Sequence, residues 1–359
     1  MSSSLSGERT QLRDRIRQVT DTDFEAVALD LFQYQARNNP VYNAYLHHLR
    51  RNPANVQTLA DVPFLPISFF KTQRVLIGET NHQTTAFASS GTTGATTSRH
   101  WVPDLALYDD VSIRLFEARY GPLANYHILA LLPSYLERNN SSLVYMVQRF
   151  MERSGSDLSG FYLHDTAALT NHLRDLADAA TRSNVPSRRV LLIGVTFGLL
   201  DWVEATPDLR FLADLPGLVV METGGMKGRR RELLRDEVHA ILTEAMGVPA
   251  IHSEYGMTEL LSQAYSSGAG VFQPSATLRI RLRDLNDPFH LYALPDPASL
   301  SPERTRQTGG VNVIDLANLD SCAFIETQDL GQYVGIDGSF RIMGRFDNSD
   351  VRGCNLLVL

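Results

Sequence analysis

The chain has 359 residues, of which 43% are hydrophobic and 20% are charged, a composition typical of a soluble globular protein with a sizeable core. Its formal net charge of −7 disfavours general electrostatic binding to nucleic acid or anionic lipid. The polar N-terminus lacks a signal-peptide pattern and no long apolar run occurs, so we expect a cytoplasmic protein with no membrane span. Two cysteines and scattered histidines argue against a disulfide framework or a zinc site.

Helical spacing of apolar side chains predicts an amphipathic helix over residues 24–37, within an N-terminal helical segment that we place at 1–60. Prolines interrupt the apolar stretch DVPFLPISFFKTQRVL that follows. Continuous apolar runs predict buried strands at 127–132 and 189–195, and helical periodicity recurs at 140–153 and 165–182. This alternation is typical of an α/β fold.

Two later segments share one plan. GLVVMETGG (217–225) and VPAIHSEYG (248–256) each run from a short apolar strand into a polar loop that contains glycine. Open α/β sheets present ligands at such strand ends, so we expect both loops to face one crevice. After about residue 270 the pattern changes to short strands and turns, which predicts a β-rich C-terminal part that includes Cys322 in a buried strand.

The stretch ASSGTTGATTS (88–98) carries no charge. Its backbone N–H groups and hydroxyls suit phosphate oxygens, although flexible linkers have the same composition. The loop is not a Walker A motif, because Ala95 follows Gly94 where that motif has lysine. Composition alone leaves a phosphate site and a linker both open.

The order of residues in this loop adds a resemblance. SSGTTG (89–94) resembles the phosphate-binding motif of adenylate-forming enzymes, and four further segments resemble other motifs of that superfamily in its order: METGGMKG (221–228), HSEYGMTE (252–259), TQDLG (327–331) and GRFD (344–347). The resemblance implies an AMP-binding large domain over residues 1–343, with mixed sheets flanked by helices, that uses ATP and Mg²⁺.

The resemblance also implies roles for individual residues. Tyr255 lies along adenine, Thr258 meets the α-phosphate, Glu259 holds Mg²⁺, Asp329 accepts the ribose hydroxyls and Arg345 lies near the ribose. These pairings are chemically sensible, but a satisfied turn with an exposed glutamate would show the same residue types at 255–259. The full predicted ATP-binding set is Ser89, Ser90, Gly91, Thr92, Thr93, Gly94, Gly224, Gly225, Tyr255, Gly256, Met257, Thr258, Asp329 and Arg345.

The end of the chain departs from the superfamily pattern. Typical members continue past the hinge into a small lid domain that supplies a lysine, whereas this sequence stops soon after Asp347. We therefore expect the lid to be absent and residues 344–359 to form a hinge and a short tail. The positive charge that the lid lysine normally provides must then come from a partner protein or from another cation, and the candidates are Lys71, Arg99 and Lys227.

The tail RGCNLLVL, together with PFLPISFFKT, LLPSYLERNNSSLVYM and GVTFGLLD, resembles LuxE-type acyl-protein synthetases. The resemblance implies a ligase that forms carbon–sulfur bonds: it adenylates a fatty acid or other carboxylate, moves the acyl group to Cys354 and passes it to an acyl reductase partner. Phe197, Leu199 and Leu200 are candidate walls of the acid pocket. Three alternatives stay open: a phenylacetate-CoA-ligase-type enzyme, a nucleotide-binding protein without activity, and Cys354 as an ordinary apolar side chain.

Overall fold

The computed structural model describes residues 3–80, 83–89, 97–133, 140–183, 188–224, 233–295 and 307–345. Its α-helices are α1 (Ser3–Gln18), α2 (Phe24–Asn38), α3 (Pro40–His48), α4 (Phe69–Thr72), α5 (Leu105–Tyr120), α6 (Ser142–Ser154), α7 (Thr166–Ser183), α8 (Thr196–Ala205) and α9 (Arg235–Met246). None of these helices is both long enough and apolar enough to cross a membrane.

The β-strands of the described residues complete the inventory. They are β1 (Leu65–Pro66), β2 (Thr85–Ala88), β3 (Arg99–Val102), β4 (Tyr126–Leu131), β5 (Gly160–Phe161), β6 (Arg189–Val195), β7 (Val219–Thr223), β8 (His252–Tyr255), β9 (Ala264–Ser266), β10 (Phe272–Gln273), β11 (Leu278–Arg283), β12 (Gly309–Asp315), β13 (Phe324–Tyr333) and β14 (Phe340–Arg345). The predicted strand at 189–195 is confirmed at both ends as β6, and the strand predicted at 127–132 is β4, one residue earlier.

The predicted helix at 24–37 is confirmed as α2, and its five periodic apolar residues are all buried: Phe24, Val27, Ala28, Leu31 and Phe32. The helices predicted at 140–153 and 165–182 are confirmed as α6 and α7. A Ser141 side chain that accepts from the Val144 amide starts α6, and Gly155 in a left-handed conformation ends it. Local periodicity and capping residues therefore determine these elements.

The described residues form two compact units. The first comprises those within Met1–Thr85, Ser98–Pro103 and Gln273–Leu359, and the second comprises those within Ala86–Thr97 and Asp104–Phe272. In the first unit β11, β12, β13 and β14 are antiparallel neighbours in that order, and β1 pairs in parallel with β13. This mixed sheet is the β-rich C-terminal part that the sequence predicts.

The N-terminal helices of the first unit pack against its C-terminal strands. The guanidinium of Arg9 donates to Asp320 at 2.5 Å and 2.6 Å, and the amide of Gln35 donates to the Asn318 carbonyl at 2.7 Å. The rings of Phe32 and Phe324 lie 5.9 Å apart, edge to face. Residues from opposite ends of the sequence therefore share one core.

In the second unit β5, β4, β6, β7 and β8 are parallel neighbours in that order, and β9 pairs with β8 in the antiparallel sense. Helices α7, α8 and α9 cover one face of this sheet, where Leu173, Leu192, Leu200, Val220 and Leu242 share one hydrophobic core. Aromatic rings of α5 and α6 pack on the other face. The α/β fold class with mixed sheets flanked by helices is confirmed.

Candidate functional site

The carboxyl ends of β6, β7 and β8 lie side by side in the second unit. Thr223, the last residue of β7, pairs with Glu254 of β8. The Thr196 hydroxyl oxygen, directly after β6, lies 3.0 Å from the Gly224 carbonyl oxygen. Thr196, Gly224 and the segment 255–259 therefore share one edge of the sheet, which we call the carboxyl edge. Ligands of open α/β sheets bind at edges of this kind.

The predicted segment 255–259 begins at the end of β8. Tyr255 is 6% exposed, and its ring centroid lies 5.8 Å from that of the fully buried Phe272. Glu259 is also 6% exposed, which contradicts the turn with an exposed glutamate that the sequence left open. The half-buried residues of the segment are Gly256, Met257 and Thr258.

Gly224 adopts a backbone conformation that favours glycine. Its φ of +72° lies in the left-handed region, and a Cβ at this position would meet no atom within 4 Å. The role of Gly224 in nucleotide binding stays a prediction. The structure places Gly224 and Tyr255 at the ends of adjacent strands, as the repeated strand-and-loop plan predicts.

Several predicted residues lie outside the described part of the chain. Ser89 is described: it is half-buried and follows β2 directly. The predicted residues that lie outside are Ser90, Gly91, Thr92, Thr93, Gly94, Gly225, Lys227, Asp347 and Cys354. The phosphate loop and the acyl acceptor therefore stay predictions.

Asp329 and Arg345 belong to the first unit and lie on neighbouring strands. They are register partners in the β13–β14 pair, and Arg345 Nε lies 3.4 Å from Asp329 Oδ1. The Asp329 side chain is 8% exposed, whereas that of Arg345 is 62% exposed. A buried acid is therefore paired with an exposed guanidinium on the neighbouring strand.

Glu254 is a site residue that sequence reasoning missed. It is buried near the end of β8, and its Oε2 accepts a short hydrogen bond from the Thr223 hydroxyl. Burial raises the pKa of Glu254 to about 7, with a smaller contribution from the negative charge of Glu222, although the Thr223 hydrogen bond opposes the rise. Its carboxyl group therefore titrates in the physiological range.

Glu222 was missed as well, and its surroundings are different. Arg235 Nε donates to Oε1 at 3.0 Å, His239 Nε2 lies 3.6 Å from the same oxygen, and the Thr196 hydroxyl donates to Oε2 at 3.1 Å. Burial alone would raise the pKa of Glu222, but hydrogen bonds from His239 and Ser253 and the charge of Arg235 outweigh burial and lower it. Glu222 is therefore ionised at neutral pH.

A sequence signal for both residues was available. Each of the segments GLVVMETGG and VPAIHSEYG carries one glutamate inside an otherwise apolar or neutral strand, next to its loop. Buried charged residues are rare unless they are paired, so a carboxyl group at this position of two strands marks a polar site. The sequence prediction includes neither glutamate.

The structure also describes Lys71, Arg99, Leu199, Leu200 and Cys322. Lys71 and Arg99 are exposed residues of the first unit. Leu199 and Leu200 belong to the core between the sheet and α7, α8 and α9. Cys322 is fully buried, as predicted, but it lies just before β13 rather than within it; burial raises the pKa of its thiol to about 12.

Comparisons with known proteins find similarity among solved structures. No family model matches the chain, and no curated protein matches it. The solved structure of coronafacic acid ligase from Pectobacterium brasiliense is similar with a TM-score of 0.37 and 13% sequence identity, over 66% of this chain and 43% of that chain. This chain therefore spans less than half the length of that protein.

Proposed function

We propose that this chain is an ATP-dependent ligase that activates a carboxylic acid as an acyl adenylate and then forms a thioester on Cys354. The observation that carries the proposal is the carboxyl edge. Two of the five segments that resemble superfamily motifs reach this edge with their described residues, which are 221–224 of METGGMKG and 252–259 of HSEYGMTE. The other three segments support the proposal through their order in the sequence alone.

The described residues of the carboxyl edge fit ATP and Mg²⁺ chemically. Tyr255 offers an aromatic ring for the base, and the Thr258 hydroxyl can donate to a phosphoryl oxygen. Among the described residues no group of three or more His, Cys, Asp or Glu side chains could hold a metal ion. Glu259 alone is a sufficient protein donor, because Mg²⁺ at phosphate sites takes one or two carboxylates and completes its shell with substrate phosphate and water oxygens.

The first step would join the acid to the nucleotide. A carboxylate oxygen attacks the α-phosphorus of ATP, the bond from that phosphorus to the bridging oxygen breaks, and pyrophosphate leaves with the electron pair. The product is a mixed anhydride, acyl-AMP. The negative charge that builds up on the phosphate in this step needs cationic stabilisation, for which Lys71, Arg99 and Lys227 stay the proposed candidates.

The second step would transfer the acyl group to sulfur. The Cys354 thiolate attacks the acyl carbonyl carbon, a C–S bond forms, and AMP leaves with the electron pair of the broken C–O bond. A thiolate is a strong nucleophile even when only a few per cent of the thiol is ionised, and Arg352 nearby in sequence would favour it. We propose a fatty acid as the acid and an acyl reductase as the protein that receives the acyl group.

Acid-dependent release of pyrophosphate tests the first step. With a panel of fatty and aryl acids, we expect release that depends on ATP, Mg²⁺ and a fatty acid. Glu259→Gln should lower it at least tenfold, whereas Glu244→Gln, on the exposed side of α9, should leave it unchanged. Binding of ATP without any release would instead indicate a nucleotide-binding protein that lacks the activity.

Mass spectrometry of the intact protein tests the second step. After incubation with ATP and acid, we expect a mass increase of one acyl group that hydroxylamine removes, that Cys354→Ser abolishes and that Cys322→Ala retains. Acylation that persists in Cys354→Ser would contradict the assigned acceptor and leave the first step intact. Pyrophosphate release stimulated by coenzyme A, with aryl acids preferred, would favour the phenylacetate-CoA-ligase-type alternative.

A further inference from the structure

Arg235 occupies an electrostatically unfavourable position. It is the first residue of α9, where the helix dipole disfavours a positive charge, whereas the next two residues, Asp236 and Glu237, are the acids that this end of a helix prefers. Helix stability therefore does not explain an arginine here. Contacts outside the helix must account for it.

The Arg235 side chain is held on two sides. Its Nε donates to Glu222 Oε1 at 3.0 Å, and its Cζ lies 5.1 Å from the ring centroid of Phe272, within the range of a cation–π interaction. Gly270 makes room for the stem, because a Cβ there would come within 3.2 Å of Arg235 Cδ. The guanidinium is therefore held between a buried carboxylate and a buried ring.

Both neighbours of Arg235, Phe272 and Glu222, contact residues of the carboxyl edge. Phe272 packs against Tyr255 with the two ring planes tilted by 57°. Glu222 accepts from the Thr196 hydroxyl, which also lies 3.0 Å from the Gly224 carbonyl oxygen. One side chain thus connects the turn after β7 with the aromatic residue at the end of β8.

We propose that Arg235 is a positioning residue for nucleobase recognition: its contacts with Glu222 and Phe272 hold the Tyr255 ring and the Gly224 turn at a constant separation. This inference rests on the proposed function, in which Tyr255 lies along the base. Arg235 does not touch the reacting atoms in this arrangement. Its loss should weaken the binding of the base and leave the phosphates and the acid unaffected.

Steady-state kinetics of pyrophosphate release separate these effects. Because the Tyr255 ring loses its support, Arg235→Met should raise KM for ATP about tenfold, with kcat and the KM for the acid changed less than about twofold. Inhibition by inorganic tripolyphosphate, which has no base, should be unchanged. Arg235→Lys, which keeps a cation above the ring, should recover part of the ATP affinity.

A second variant keeps the test decisive if Arg235→Met does not fold. Phe272→Leu leaves the Arg235–Glu222 pair intact and removes the ring, and it should raise KM for ATP in the same way, with tripolyphosphate inhibition retained. Folded variants with an unchanged KM for ATP, or with equal losses for ATP and tripolyphosphate, would overturn the inference. Absence of acid-dependent pyrophosphate release in the unmodified chain would instead overturn the proposed function.

Discussion

Glu222 and Glu254 are buried carboxyl groups near the ends of adjacent strands, yet their pKa values shift in opposite directions. Glu222 pairs in register with Ser253, and Glu254 pairs with Thr223. Successive residues of a strand point to opposite faces of the sheet, so the two carboxyl groups lie on different faces. Glu222 meets Arg235 and His239 of α9, whereas Glu254 has a hydroxyl as its hydrogen-bond partner.

The difference between the two residues shows that burial alone does not determine protonation. Burial acts to raise the pKa of both groups. At Glu222 a cation and additional hydrogen-bond donors reverse the pKa shift that burial causes. At Glu254 the single hydroxyl donor does not reverse it. The carboxyl edge therefore has an ionised acid on one face and a titratable acid on the other.

The largest expected loss of folding stability follows from removal of the guanidinium that neutralises Glu222. Arg235→Met leaves a buried carboxylate without its guanidinium, and breaking a buried pair in this way costs about 3–5 kcal/mol. Urea unfolding should show a correspondingly lower free energy of unfolding. The double variant Arg235→Met/Glu222→Gln should recover much of the loss, because the unpaired charge is gone; a double variant no more stable than the single one would contradict this account.

The next largest effect is a pH dependence at Glu254. An ordinary glutamate titrates near 4.5 and folded Glu254 at about 7. Because the folded pKa is the higher one, the stabilising contribution of neutral Glu254 is complete below about pH 4.5 and is lost as pH rises through 7. Relative to the unmodified chain, Glu254→Gln should therefore become more stable between pH 5 and pH 8, by on the order of 3 kcal/mol.

Unfolding curves at a series of pH values measure this change, and Glu222→Gln is the matched control. The pKa of Glu222 is lowered in the folded chain, so its contribution is present above the unfolded pKa and is lost as pH falls through the folded one. The two variants should therefore differ from the unmodified chain with opposite pH slopes. Parallel slopes would show that the environments of the two carboxyl groups are equivalent.

A smaller loss of folding stability is expected from substitution of Gly256. A Cβ there would overlap Glu254 Oε1, and the Thr223 hydrogen bond to the other oxygen, Oε2, holds this carboxyl group in place. Gly256→Ala should cost about 1–2 kcal/mol through the forced shift of this buried carboxyl group. In a Glu254→Ala background the same substitution should cost much less, and a double-mutant cycle measures the difference. Additive costs would show that the two residues are independent.

The smallest effect is expected at Thr223. Thr223→Val removes the hydrogen bond that lowers the pKa of Glu254 while it retains the shape of the side chain. The pH midpoint of the Glu254-dependent stability change should move upward, with a loss of about 1 kcal/mol at high pH, where the carboxylate most needs its donor. Thr223→Ser, which keeps the hydroxyl, should leave the midpoint unchanged.

Local patterns predicted the helices α2, α6 and α7 and the strands β4 and β6. The apolar periodicity of α2 and the continuous apolar run of β6 are properties of neighbouring residues, and both predictions are confirmed. The contact between the N-terminal helices and β13 was not predicted. It joins Phe32 to Phe324, and no local pattern indicates which distant segment an apolar face will cover.

The sequence by itself determined the α/β class, the positions of α2, α6, α7, β4 and β6, and the two strand-and-loop segments that meet at the carboxyl edge. These depend on residue spacing and on glycine conformation, which act over short distances. Only the tertiary structure decided which carboxyl group is ionised. Glu222 and Glu254 occupy equivalent places in their segments, and the difference between them arises from the register of β7 and β8 and from the arginine that α9 brings to one face alone.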